Sequence, residues 1–249
     1  MKKLLLAVIL LFSISILTNA QIGYLNLRLN YIGGVGAQAK KLEGGGIGFQ
    51  YEGFKSQNAK LGFIIAADFN STGCEEKDID LNFGGSNTKT EVNYYSSLNK
   101  ITGGGILIPR HGSSFSPYIS MQAGVMWYRT SLVIEDPDDP SACDPLETKN
   151  VKTSVTPVAN VESGVKLQMK RKDKKRPLFL QAGVGYNMGT RATYIKLGDE
   201  PNDETTQPYT SKFKMDDGSV HQHSIGTMYR TTTSQLVFSL GISFYFGCH

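Results

Sequence analysis

Apolar and polar residues alternate through much of this chain with a period of two, which is the signature of extended strands with two unlike faces. The closing run, LVFSLGISFYFGCH, places Leu236, Phe238, Leu240, Ile242, Phe244 and Phe246 on one face. Val237, Ser239, Gly241, Ser243 and Tyr245 fall on the other. Seven further runs follow the pattern, at about 22–32, 44–54, 60–69, 91–108, 117–131, 153–170 and 177–189. In the first, Leu25, Leu27, Leu29 and Tyr31 oppose Asn26, Arg28 and Asn30. In the sixth, Val155, Pro157, Ala159, Val161, Val165, Leu167 and Met169 oppose Asn160, Glu162, Lys166 and Gln168. Pro157 stands out there, because proline has no ladder donor and belongs at a bulge or an edge. The fourth run is rich in glycine and its facing is ambiguous.

The connections between runs are alternately long (34–43, 70–90, 132–152, 190–232) and short (55–59, 109–116, 171–176). Long loops at one end and short turns at the other are what a transmembrane barrel shows. A soluble eight-stranded barrel also alternates, but turns its apolar face inward. Three features predict the opposite sidedness. Several runs reach the length of about 9–11 residues that a tilted strand needs to cross a bilayer. The polar face is dense in small residues and Gln, as suits a narrow closed interior. Aromatics gather toward strand ends, with Tyr31, Phe69, Trp127, Tyr128 and Tyr186 at one rim and Tyr118, Phe179, Phe244 and Phe246 at the other. The prediction is all-β: a single eight-stranded antiparallel up-and-down transmembrane β-barrel.

The start of the chain changes the picture only by adding a destination. Residues 1–20 carry Lys2 and Lys3, an apolar run from Leu4 to Leu17 and small residues at Thr18-Asn19-Ala20, the pattern of a cleaved secretory signal peptide. The barrel domain is then 21–249. Losing two lysines takes the net charge from +4 to +2, too little to argue for a nucleic-acid partner. After residue 20 no stretch is apolar and long enough for a membrane helix, so membrane crossing falls to strands. The three cysteines have no zinc spacing. Cys74 and Cys143 lie in connections on the same side, which makes a disulfide between them an expectation in an oxidising compartment. Cys248 lies at the opposite end.

The strands GGGIGFQYEG, GGGILIPR and PYISMQAGVMWY, together with the aromatic-ended last strand, resemble the small outer-membrane β-barrel proteins of Gram-negative bacteria, the porin-like class. The resemblance covers the whole mature chain and implies location in the outer membrane. It also implies that the last strand, with Phe244 and Phe246 near its end, is the signal read by the barrel-assembly machinery.

Candidate chemistry is sparse. Arg28, Glu52, Asp68, Glu162 and Lys166 all fall on the polar face and would form a polar network in the lumen, either a salt-bridged plug or the lining of a narrow pore. Eight strands leave room for little more than side chains, which favours the plug. HQHS at 221–224 is the most reactive-looking stretch, but adjacent His223 and Ser224 point to opposite faces of a strand. The basic run 170–177 is a turn suited to anionic headgroups or a periplasmic partner, and the acidic stretch 135–147 is a surface loop without calcium-loop spacing. No nucleophile elbow, phosphate loop or zinc-protease motif occurs. The expectation is therefore a non-enzymatic protein without cofactor, surrounded by outer-membrane lipid, with a structural or interaction role at the cell surface and a surface or periplasmic protein as partner. The loops at 70–90, 132–152 and 190–232 are its expected recognition surfaces. The alternatives are a narrow passive pore for small solutes and a lipid-directed enzyme.

Overall fold

A computed structural model describes residues 22–36, 42–56, 58–83, 86–110, 113–134, 147–169, 177–198, 208–214 and 220–247. The segment read as a signal peptide, Cys143, Cys248, the acidic stretch from 135 and the basic turn up to 176 lie outside the described residues. The elements are all strands: β1 (Ile22–Gly34), β2 (Glu43–Phe54), β3 (Leu61–Phe83), β4 (Ser86–Leu107), β5 (Phe115–Ile134), β6 (Glu147–Met169), β7 (Leu178–Leu197), β8 (Pro208–Lys214) and β9 (Val220–Gly247).

Every strand from β1 to β7 pairs antiparallel with its sequence neighbour, β9 pairs with β7, and β9 returns to β1. The chain is thus an eight-stranded up-and-down barrel closed along Ile22↔Gly247 to Gly34↔Gln235. Closure leaves no free edge in this zone, so backbone donors and acceptors are met within the wall, as lipid requires. The ninth strand, β8, is a short addition that pairs with β9 beyond the end of β1.

Sidedness follows from parity. Leu25, Leu27, Leu29, Tyr31, Ile47, Phe49, Phe69, Met121, Val125, Val155, Val184, Phe238, Leu240 and Ile242 are exposed on the outer wall, while Asn26, Arg28, Asn30, Gln50, Asp68, Gln122, Asn160 and Gln181 are buried within. A continuous belt of this size would be an aggregation hazard in water and is the natural surface toward acyl chains. Three aromatics assigned above to the rims point inward instead. Tyr118, Phe179 and Tyr128 are buried, because each shares the parity of the inward residues on its strand.

Three of the four long connections carry strand. β3 and β4 stay paired to Phe83↔Ser86, and β5 and β6 to Ile134↔Glu147. Most of the segments 70–90 and 190–232, and parts of 132–152, are therefore ordered ladder rather than loop. The ladder that closes the barrel does not extend as far. Pairing of β2 with β3 ends at Gly45↔Ser71, and that of β6 with β7 at Val158↔Gly189. Past these points the wall divides into two sheets, β3-β4-β5-β6 and β7-β9-β8. Ile79, Val92, Tyr94, Leu132 and Ile134 of the first pack with Ile195 and Ile225 of the second, joined by Leu197 and Tyr209. The result is a small β-sandwich standing on the barrel. Register shifts at Ser71/Gly73, Thr130/Ser131 and Met188/Arg191 mark the change of regime on three strands; bulges commonly re-aim strands at barrel rims.

Pro157 is the first residue of β6 beyond its ladder with β7. A missing N–H costs no inter-strand bond where that ladder has already ended. Hydroxyls bridge the gap. Thr156 Oγ1 lies 2.7 Å from Thr190 Oγ1, the Thr193 amide donates to Ser154 Oγ at 3.1 Å, and Ser96 Oγ donates to the Ile195 carbonyl at 3.2 Å.

Candidate functional site: the filled lumen and the projecting sandwich

The interior is stacked in layers. At the end that holds the short turns, Ile22, Tyr24, Phe54, Ile64, Ile106, Ile108, Tyr118 and Phe179 form an apolar floor. Beyond the middle of the barrel, Ile32, Leu42, Leu98, Met126, Tyr128, Val158, Ala192, Tyr194, Tyr229 and Val237 form an apolar ceiling. Tyr128 stacks on Tyr194 with ring centroids 5.2 Å apart, and Tyr194 meets Tyr229 at 5.8 Å. Between floor and ceiling lies a polar layer.

Arg28, on β1, spans that layer. Its Nη1 donates to both oxygens of Glu162 on β6, at 3.1 and 3.0 Å, and its Nη2 to Asp68 Oδ1 on β3 at 3.0 Å. Asn30 Nδ2 donates to the same Asp68 oxygen, and Lys100 Nζ of β4 lies 3.1 Å from Asp68 Oδ2. Tyr118 donates to Glu162 at 2.7 Å. A second cluster centres on Glu52 of β2. Its Oε2 lies 2.5 Å from Lys166 Nζ, and its Oε1 accepts from Asn26 and Gln50. Lys166 Nζ also sits 4.5 Å from the Tyr24 ring centroid, a cation–π distance. Lys100 carries the network onward to Asn187 of β7 at 3.2 Å, Asn187 to Gln235 of β9, and Gln235 to Tyr128 of β5. Side chains from all eight wall strands therefore take part.

Each of Arg28, Glu52, Asp68, Glu162 and Lys166 is buried in this layer, and Arg28 joins three strands. Three cations (Arg28, Lys100, Lys166) face three carboxylates (Glu52, Asp68, Glu162), so the charges balance, as a low-dielectric interior demands. Lys100 escaped the sequence reading because its strand carries glycines at 103–105 and its faces looked alike. The useful signal is its spacing from Leu98 and Thr102, both inward. Glycine makes two of the approaches possible. A Cβ on Gly48 would lie 2.2 Å from Asp68 Oδ1, and one on Gly183 would lie 2.5 Å from the Tyr118 hydroxyl. Among the described residues, several acceptors in the layer, including Asn26 Oδ1, Gln50 Oε1, Asn160 Oδ1 and Gln181 Oε1, have no protein donor. Buried acceptors of this kind are commonly satisfied by ordered water.

The sandwich presents two unlike outer faces. On β3 and β4, exposed Glu76, Asp78 and Glu91 bring carboxylate oxygens within 4.8 Å of one another. Cys74, exposed on β3, lies beside them in a shallow depression that Tyr95 also lines. The face of β7 and β9 carries Arg191 and Arg230 instead. His223, on β9, is half-buried with Nδ1 3.2 Å from the Tyr94 hydroxyl, and burial pushes the Tyr94 phenol above its ordinary value. Ser224 is exposed, on the other face from His223, so the HQHS stretch does not bring these two side chains together. Phe244 and Phe246 are 43% and 57% exposed on the outer wall at the short-turn end.

No protein-family model and no curated protein sequence matches the chain. Solved structures with a similar course include Neisserial surface protein A, 11% identical over 89% of this chain and 95% of that one, TM-score 0.43. A major outer membrane protein from Thermus thermophilus is 15% identical over 90% and 99%, TM-score 0.40. The attachment invasion locus protein Ail of Yersinia pestis is 8% identical over 91% and 99%, TM-score 0.40. Likeness this distant adds nothing to the architecture that the strand register already establishes. A closed barrel, an apolar outer belt and exposed aromatics at its rim make this the fold of a small outer-membrane β-barrel, and the outer membrane is where such a wall is at home.

Proposed function

We propose that the chain is a non-conducting outer-membrane anchor that carries a surface interaction module. The observation that supports this reading is the filled interior: an apolar floor, an ion-paired middle and an aromatic ceiling lie in series along the axis. In this reading Arg28, Glu52, Asp68, Glu162, Lys166 and Lys100 act as a plug that ties opposite walls together. Function then falls to the projecting sandwich, a rigid platform held clear of the membrane. Phe244 and Phe246 serve as the mark for the assembly machinery, since they sit exposed at the end of the strand that closes the barrel. Purified protein in planar bilayers tests the reading. No ohmic steps are expected, and a clear, reproducible conductance would overturn it in favour of a solute pore.

A further inference from the structure

The outer wall changes character just above the apolar belt, and on one side it does so with arginine. On β7 the outward residues run Val184, Tyr186, Met188 and then, after the register shift, Arg191 and Thr193. On β9 the outward row passes from Phe238 and Leu236 through Ser234 to Thr232 and Arg230. Arg191 pairs across the ladder with Thr232, and Thr193 with Arg230. The four residues therefore form one outward patch, with the two arginines on its diagonal. Diagonal neighbours lie about 7–8 Å apart at Cα–Cβ level, so two long guanidinium side chains can converge on one anion between them. Both arginines are exposed. Among the described residues, neither has a carboxylate partner. Among the described residues, the carboxylates of the sandwich lie on the other sheet, Glu76, Asp78 and Glu91 among them.

We infer that Arg191 and Arg230, with the Thr193 and Thr232 hydroxyls, form a binding site for a phosphate group of an outer-leaflet lipid headgroup. Position selects the ligand. The patch lies directly beyond residues that face acyl chains, which is the level of headgroup phosphates. Chemistry agrees, because paired arginine forks match the oxygens of a phosphate and are less strongly hydrated than lysine. The one-sided layout orients the bound lipid to the β7–β9 face and away from the acidic sheet.

The test uses the full mature protein in nanodiscs of zwitterionic lipid doped with lipid A, or with lipid A stripped of its phosphates. Retained lipid is counted by native mass spectrometry. Wild-type protein is expected to retain the phosphorylated form roughly tenfold better than the stripped form, the scale of two charge-assisted contacts. R191Q/R230Q is expected to lose that preference, while K212Q/K214Q, farther from the belt on β8, keeps it. Heat-modifiability on detergent gels checks that each variant is folded. Equal retention of both lipids by wild type, or an unchanged preference in R191Q/R230Q, would overturn the proposal. Inorganic phosphate at millimolar concentration is expected to leave the adduct in place; displacement there would mark a site for a soluble anion instead.

Discussion

The membrane half and the projecting half of this protein are built from the same strands with opposite sidedness. Within the belt, β9 turns Leu236, Phe238 and Leu240 outward and Gln235 and Ser239 inward. Farther out on the same strand, Ile225 is buried in an apolar core while Gln222 and Ser224 face solvent. β3 repeats the exchange, with Phe69 outside and Asp68 inside below its register shift, and Asp78 outside and Ile79 inside above it. The difference is one of solvent. Acyl chains outside leave the lumen as the place for polar side chains, whereas water outside lets hydrophobic burial hold the two sheets together. The embedded half is closed by a complete ladder and tied by ions; the outer half has two open seams and depends on packing.

Removing Arg28 should give the largest effect, since it leaves Asp68 and Glu162 buried without their shared partner. Arg28→Ala is expected to cost about 3–5 kcal/mol, read by urea unfolding in lipid vesicles. A loss under about 1 kcal/mol would show that the ion pairs are incidental to the embedded half. Leu132→Ala opens a cavity in the sandwich core and is expected to cost about 2–5 kcal/mol. Here the loss should stay local: faster hydrogen exchange and proteolysis in the outer parts of β3 to β6, with the embedded ladder still protected. Cooperative unfolding of both halves would erase the distinction between them.

A charge placed on the two outer walls sharpens it further. Leu240→Arg, in the middle of the belt, is expected to cost about 2–4 kcal/mol, while Thr148→Arg on the exposed sandwich surface should change stability by less than about 0.5 kcal/mol. Equal effects would mean that the belt does not face lipid. Pro157→Ala should have the smallest consequence, within about 0.5 kcal/mol by the same unfolding assay, because this residue lies just past the β6–β7 ladder. A marked stabilisation would reveal a bond that proline blocks at the seam.

The alternation of side chains carried much of this in the sequence. A period of two assigns each residue to a face without reference to any distant residue, so the outward row Leu25, Leu27, Leu29 and the inward Arg28 were legible from order alone. Proline's missing donor likewise marked Pro157 for an edge, though the particular edge required the register. What order alone did not give was the extent of the strands. The segment KDIDLNF, 77–83, alternates too, but its acidic residues read as loop, because the neighbouring sheet that buries Ile79 is far away in sequence. Lys100 was missed for a different reason, since the glycines at 103–105 leave the two faces of its strand alike. Local pattern thus set the strand faces and the barrel class. Tertiary pairing decided where the wall divides, which inward charges meet, and that Arg191 and Arg230 share one patch, because each of these depends on residues brought together only by register and closure.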